Sequence, residues 1–138
     1  MRAHRREGEL VITASKSSTI LLIDDEIEVR ATVSRLLQRA GYEVVTAANG
    51  AEALETARFV RADLIITDIL MPGKEGLETI TELRHEFPEL PVIAVSGGGI
   101  VDPSSYLTLA QKLGADRALA KPFGFEELLS TVRELLDA

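Results

Sequence analysis

The sequence predicts one α/β domain built on a doubly wound sheet of five parallel strands, with helices on both faces. Three observations lead there. Short β-branched runs alternate with amphipathic helical patterns five times from Thr19 onward. The stretches "LLI" (21–23) and "LII" (64–66) lack the apolar–polar alternation of a sheet with one wet face, so the central strands are expected to be covered on both sides. A length of 138 residues, 46% hydrophobic and 27% charged, suits a single core of ordinary size.

The elements follow in order. "TILLI" (19–23) forms the first strand, and Val29, Val33, Leu36, Leu37 and Ala40 then fall at the spacing of one buried helix face. Gly41 closes that helix and turns the chain into the second strand, "YEVVTA" (42–47). Ala53, Leu54, Ala57 and Val60 mark the second helix, and "ADLIIT" (62–67) the third strand. Leu77, Ile80, Leu83 and Phe87 mark the third helix, "PVIAVS" (91–96) the fourth strand, and Tyr106, Leu109, Ala110 and Leu113 the fourth helix. "RALA" (117–120) is the weakest strand, short and poor in β-branched residues. Leu128, Leu129, Val132, Leu135 and Leu136 complete a fifth helix. The domain proper is thus 19–138. Residues 1–18, polar and basic at their ends around "LVIT", are expected to form a mobile N-terminal extension.

Composition excludes several functions. Without cysteine there is no disulfide, thiolate metal site or cysteine nucleophile. His4 and His85 are the only histidines, which argues against a serine–histidine triad or a histidine zinc site. The net charge of −7 argues against direct nucleic-acid binding and suits a cation or a basic partner. No apolar run is long enough to span a bilayer, and Leu10-Val11-Ile12 is too short for a signal peptide, so a cytoplasmic location is expected.

In open parallel sheets, ligands bind beyond the carboxyl ends of the strands. Asp24 and Asp25 follow the first strand, Asp68 the third, and Lys121 the fifth, while Ser96 closes the fourth. Each has an ordinary reading. Asp25 with Glu28 resembles a capping box, Asp68 and Ser96 suit loops and turns, and Lys121 suits solvent. Capping, however, explains only one member of the adjacent pair. Three carboxylates sharing a site repel one another, by about 3 kcal/mol for two charges ~5 Å apart at an effective dielectric near 20. Either one is protonated or a cation binds. Oxygen ligands alone favour a hard ion, Mg²⁺. Such an ion and the Lys121 ammonium would prepare a place for a phosphoryl group, whose transfer needs mainly positioning and charge neutralisation. A carboxylate can be the nucleophile, and Asp68, alone on a central strand, is the best candidate.

These residues resemble the receiver domains of two-component response regulators. The resemblance covers Thr19 to Ala138 and rests on "IDDE", "TDILMPGKEGLE", "VIAVSG" and "GADRALAKPF", in that order and spacing. It implies a flavodoxin-like, chemotaxis-regulator-like strand order of 2-1-3-4-5. By the same resemblance Asp68 is the phosphoacceptor, taking its phosphoryl group from a sensor histidine kinase or histidine phosphotransfer protein. Asp24, Asp25 and Asp68, with the backbone carbonyl of Leu70, would hold Mg²⁺. Lys121 and Ser96 would bind the phosphoryl oxygens, and Pro122 would follow a cis bond. The protein would be a phosphoacceptor that assists its own phosphorylation and dephosphorylation, not an enzyme, and would act on a downstream protein.

Two features depart from the family pattern. Ala118 stands where many receivers carry the aromatic that turns inward on activation, and "SGGGIVDPSS" makes a glycine-rich link into the fourth helix. Output is therefore expected to travel through residues 97–106 more than through the surface around Ala118. A stand-alone receiver is expected, because the final helix ends with the chain. The alternatives are a fragment of a longer DNA-binding regulator or hybrid kinase, a non-phosphorylated scaffold, and an aspartate-nucleophile phosphohydrolase, which usually shows D-x-D where "DDE" stands here. "SGGGIV" is not a dinucleotide-binding glycine motif.

Overall fold

The computed structural model describes residues 17–69, 76–96 and 103–137. Strands and helices alternate as β1 (Thr19–Ile23), α1 (Ile27–Arg39), β2 (Glu43–Ala47), α2 (Gly50–Phe59), β3 (Leu64–Asp68), α3 (Gly76–Glu86), β4 (Val92–Ser96), α4 (Pro103–Leu113), β5 (Arg117–Ala120) and α5 (Phe125–Leu136). The strands form one parallel sheet in the order β2-β1-β3-β4-β5. The strand order reverses beside β1, so its carboxyl end and that of β3 flank the crevice where such sheets bind ligands.

Burial explains the sequence pattern. β1, β3 and β4 are buried at every residue, whereas edge strands β2 and β5 are partly exposed. Successive side chains alternate between the two faces of the sheet. Leu21, Ile23, Ile65 and Ala94 pack with Ala53 and Leu54 of α2, Ile80 and Leu83 of α3, and Ala110 of α4. Ile20, Leu22, Leu64, Ile66 and Ile93 pack with Leu37 of α1 and Leu128 and Val132 of α5. Full burial of one such leucine or isoleucine is worth about 1.5–3 kcal/mol, so the two apolar layers dominate the stability of the fold.

Several local readings change. β3 runs one residue further than expected, and Asp68 is the last residue of the strand itself. Leu109 does not join the buried face of α4: it is 43% exposed, and the smaller Ala110 fills the contact. Ser18 already belongs to the sheet's lower edge, its carbonyl accepting from the Glu43 N–H at 2.9 Å. Gly41, just past α1, has φ of +104°, a left-handed conformation that side chains disfavour.

The two ends of the sheet are built differently. At the amino ends of β4 and β5, the Arg84 guanidinium donates to the carbonyls of Gly114 and Pro88 and to the Asp116 carboxylate. Asp116 in turn accepts from the Val92 N–H at 2.8 Å, and its own N–H donates to the Val92 carbonyl. This network ties the α3–β4 link to the α4–β5 turn. At the carboxyl ends the polar groups are instead mostly acidic and meet in one place.

Candidate phosphoacceptor and metal site

Two strand ends and the links after two further strands build the site. Asp24 follows β1, Asp68 ends β3, Ser96 ends β4 and Lys121 follows β5. Register makes them neighbours, because Asp68 lies beside Val95 and Ser96 beside Ala120. The Lys121 N–H donates to the Ser96 carbonyl at 2.6 Å, extending the β4–β5 ladder and drawing the lysine to the centre of the edge. Its Nζ lies 3.0 Å from Asp68 Oδ2 and 3.4 Å from Asp24 Oδ2. The Lys121–Pro122 peptide bond is cis.

Asp24 is held by four contacts. Its N–H donates to the Ala47 carbonyl at 3.1 Å and its Oδ1 accepts from the Glu26 N–H at 2.9 Å. Lys121 approaches Oδ2, and the Arg30 guanidinium donates to the Asp24 carbonyl at 2.7 Å. The capping-box reading of Asp25 does not hold: Glu26 is the N-cap of α1, without a side-chain cap, and Asp25 is left exposed. Asp25 thus faces solvent beside two buried carboxylates.

Oxygens of Asp24, Asp25 and Asp68 lie within 4.8 Å of one another. A metal ion can be held by this all-oxygen set, with neither histidine nor thiolate in it. Burial, aided by the charge of Asp68, raises the Asp24 carboxyl above its ordinary value, against the Glu26 hydrogen bond and Lys121, which lower it. For Lys121 partial burial acts downward, but the hydrogen bond and charge of Asp68, then the charge of Asp24, hold the ammonium above its ordinary value. Lys121 therefore stays cationic across neutral pH. Ser96 is fully buried, and its Oγ has no hydrogen-bond partner among the described residues. A buried hydroxyl left unpaired costs about 1–3 kcal/mol, which a ligand oxygen arriving at the site would relieve.

The folded protein holds the Asp24 proton more tightly than the unfolded chain, so the stability linked to this group is greatest in acid and declines as pH rises above 3.8. Asp24→Asn is accordingly expected to stabilise the metal-free protein at neutral pH, raising its Tm by about a few degrees, and to flatten that decline. Melting curves in EDTA across the pH range check this; an Asp24→Asn variant less stable than wild type would reject it.

Ala118 is half-buried on edge strand β5, paired with Ala94. Leu70 and the loop residues 97–102 lie outside the described residues. Sequence reasoning missed Arg30 and Gly76 as parts of the site's frame. A Cβ on Gly76, at the start of α3, would lie 2.2 Å from Ile69 Cα and 2.6 Å from the Asp68 carbonyl oxygen. A surface cleft lined by Phe59, Phe87 and Leu90 contains none of the five charged or hydroxyl residues above.

The fold is that of a chemotaxis-regulator-like α/β domain. The chemotaxis protein CheY4 of Vibrio cholerae superposes with a TM-score of 0.78 at 36% identity, over 88% of this chain and 100% of that one. A putative response regulator from Chloroflexus aurantiacus gives a TM-score of 0.81 at 33% identity, over 89% and 100%. The family described as the response regulator receiver domain matches residues 20–133, and the chain belongs to it. It is a receiver of two-component signalling, a family that signals without being catalytic. The transcriptional regulatory protein PrrA of Mycobacterium tuberculosis is 39% identical over 90% of this chain and 52% of its own length. The response regulator MprA of Mycobacterium leprae is 38% identical over 85% and 50%. The chain spans about half the length of these curated relatives. Among the described residues no helix is long and apolar enough to cross a membrane.

Proposed function

We propose that Asp68 accepts a phosphoryl group from a phosphohistidine on a sensor histidine kinase or histidine phosphotransfer protein, and that the phosphorylated form controls a downstream protein. The observation that carries this reading is the meeting of three carboxylates with Lys121 Nζ beside a buried Ser96 hydroxyl that has no partner among the described residues. An Asp68 carboxylate oxygen attacks phosphorus; the new P–O bond forms as the P–N bond to the imidazole breaks. Lys121 is already 3.0 Å from the attacking carboxylate and turns its donors to the phosphoryl oxygens. Ser96 donates its hydroxyl to the same oxygens. Asp24, Asp25, Asp68 and the Leu70 carbonyl would hold Mg²⁺, which when bound neutralises charge on the phosphoryl group. The same charge neutralisation would serve attack by water on the phosphorylated carboxylate, so the domain is proposed to assist both its own phosphorylation and its dephosphorylation.

Residues 1–18 are proposed to be an extension of the receiver proper, joined to it at Ser18, and the site to work in the cytoplasm. With Ala118 in place of an aromatic, output is proposed to pass through the backbone of residues 97–106, where Gly97, Gly98 and Gly99 follow Ser96. The half-length match to PrrA favours a second reading of the whole protein, as the receiver portion of a longer transcriptional regulator in which other residues contact DNA. Incubation with acetyl phosphate, with and without Mg²⁺, tests the central reading. Intact mass is expected to rise by one phosphoryl group in the presence of Mg²⁺ and to stay unchanged in EDTA. No uptake with Mg²⁺ present would overturn it.

A further inference from the structure

Arg30 stands where electrostatics disfavours a cation. It lies in the first turn of α1, beside the positive end of the helix dipole, and next to a site read here as binding a divalent metal. Its side chain is half-buried and does not point away: Nη1 donates to the Asp24 carbonyl at 2.7 Å. Its backbone N–H donates to the Glu26 carbonyl at 3.0 Å, the first bond of the helix. One residue thus grips the β1–α1 link at both ends.

The carbonyl it holds belongs to the peptide that joins Asp24 to Asp25. Asp24 has three further restraints, from Ala47, Glu26 and Lys121. Asp25 is exposed, and its carboxylate is placed by the orientation of that peptide. We infer that Arg30 is a positioning residue for the metal site, aiming the Asp25 carboxylate at Asp24 and Asp68 by clamping the Asp24–Asp25 peptide. Groups that hold metal ligands in place typically contribute 10–100-fold to affinity. A charge-assisted bond of this length is strong enough to do so.

The inference rests on the metal reading above, and it predicts an effect opposite in sign to simple charge removal. Deleting a positive charge near a cation site should tighten binding; losing the clamp should weaken it. Arg30→Met keeps the aliphatic stem and removes both charge and donor. Arg35→Met removes an equal charge from an exposed position on the same helix. Amide chemical shifts followed through a Mg²⁺ titration are expected to give about 10-fold weaker binding for Arg30→Met, and unchanged or slightly tighter binding for Arg35→Met. Without metal, the Glu26 amide of Arg30→Met should lose exchange protection while the helix core keeps it. Arg30→Met binding Mg²⁺ as tightly as wild type, or more tightly, would overturn the clamp. A wild-type protein that binds no Mg²⁺ would instead overturn the metal reading, and the inference with it.

Discussion

Asp68→Asn is expected to bring phosphoryl uptake from acetyl phosphate to background while leaving the fold standing. An amide has no anionic oxygen to attack phosphorus, so the substitution removes the nucleophile outright. Its shape barely changes at a position only 6% exposed, and the apolar layers above and below the sheet are untouched. Lys121 keeps Asp24 as a partner at 3.4 Å, so the ammonium is not stranded. Loss of one of three crowded negative charges offsets the weakened ion pair, and Tm should move by no more than a few degrees. Intact mass and a thermal melt on the same preparation check both halves. Continued uptake of one acid-labile phosphoryl group by the Asp68→Asn variant would place the acceptor elsewhere, with Asp24 and Asp25 the first to be mapped.

The largest structural effect is expected at Gly76, which touches no reacting atom. A methyl group there runs into the Asp68–Ile69 backbone, at 2.2 Å from Ile69 Cα, 2.6 Å from the Asp68 carbonyl oxygen and 2.7 Å from the Ile69 carbonyl carbon. Backbone of a buried central strand cannot swing aside as a side-chain tip can. Either α3 lifts off the sheet, uncovering Ile80 and Leu83, or the end of β3 moves and takes Asp68 with it. Overpacking of this kind costs roughly 3 kcal/mol or more, a large part of a small domain's total stability. Gly76→Ala should unfold at clearly lower urea than wild type. Whatever folded fraction remains should be poorly phosphorylated. A Gly76→Ala protein with a wild-type urea midpoint would show that α3 approaches β3 less closely than described.

Much of this molecule is legible from sequence because parallel sheets concentrate their signals. Both faces of β1, β3 and β4 are covered, so their residues have to be apolar without alternation. A charged residue directly after such a run is conspicuous, and all such runs in a parallel sheet end on one side. Asp24 and Asp68 can therefore be brought together from the sequence alone, and Lys121 joins them only through the weaker signal of the fifth strand. The strand order cannot be read this way, since periodicity says nothing of which strands neighbour one another; it comes with the family resemblance. Arg30 is hidden for another reason. An arginine on a helix ordinarily reads as solvated surface, and only the 2.7 Å bond to a carbonyl six residues earlier distinguishes it. Its place in a first turn, against the dipole, is the available clue. Gly76 reads as an ordinary helix start, because close approach of two backbones leaves no mark but the missing side chain. Asp25 reads equally well as a cap because aspartate is common there, whereas the chain gives that place to Glu26.

The Arg84–Asp116 network gives the β4–β5 pair the mechanics of a beam clamped at one end. Val92 and Asp116 are fixed to each other and to α3, while Ser96 and Lys121 lie at the opposite end, where the proposed phosphoryl group would act. A five-residue strand spans roughly 16 Å, so a 1 Å displacement of Ser96 about this clamp is a tilt of only about 4°. A tilt that small leaves the ladder from Ile93 and Arg117 to Ser96 and Ala120 intact. The clamped end thus fixes the register of β4 and β5, so a shift at Ser96 would be taken up at the carboxyl end, where the chain continues into residues 97–106, without any strand having to slip.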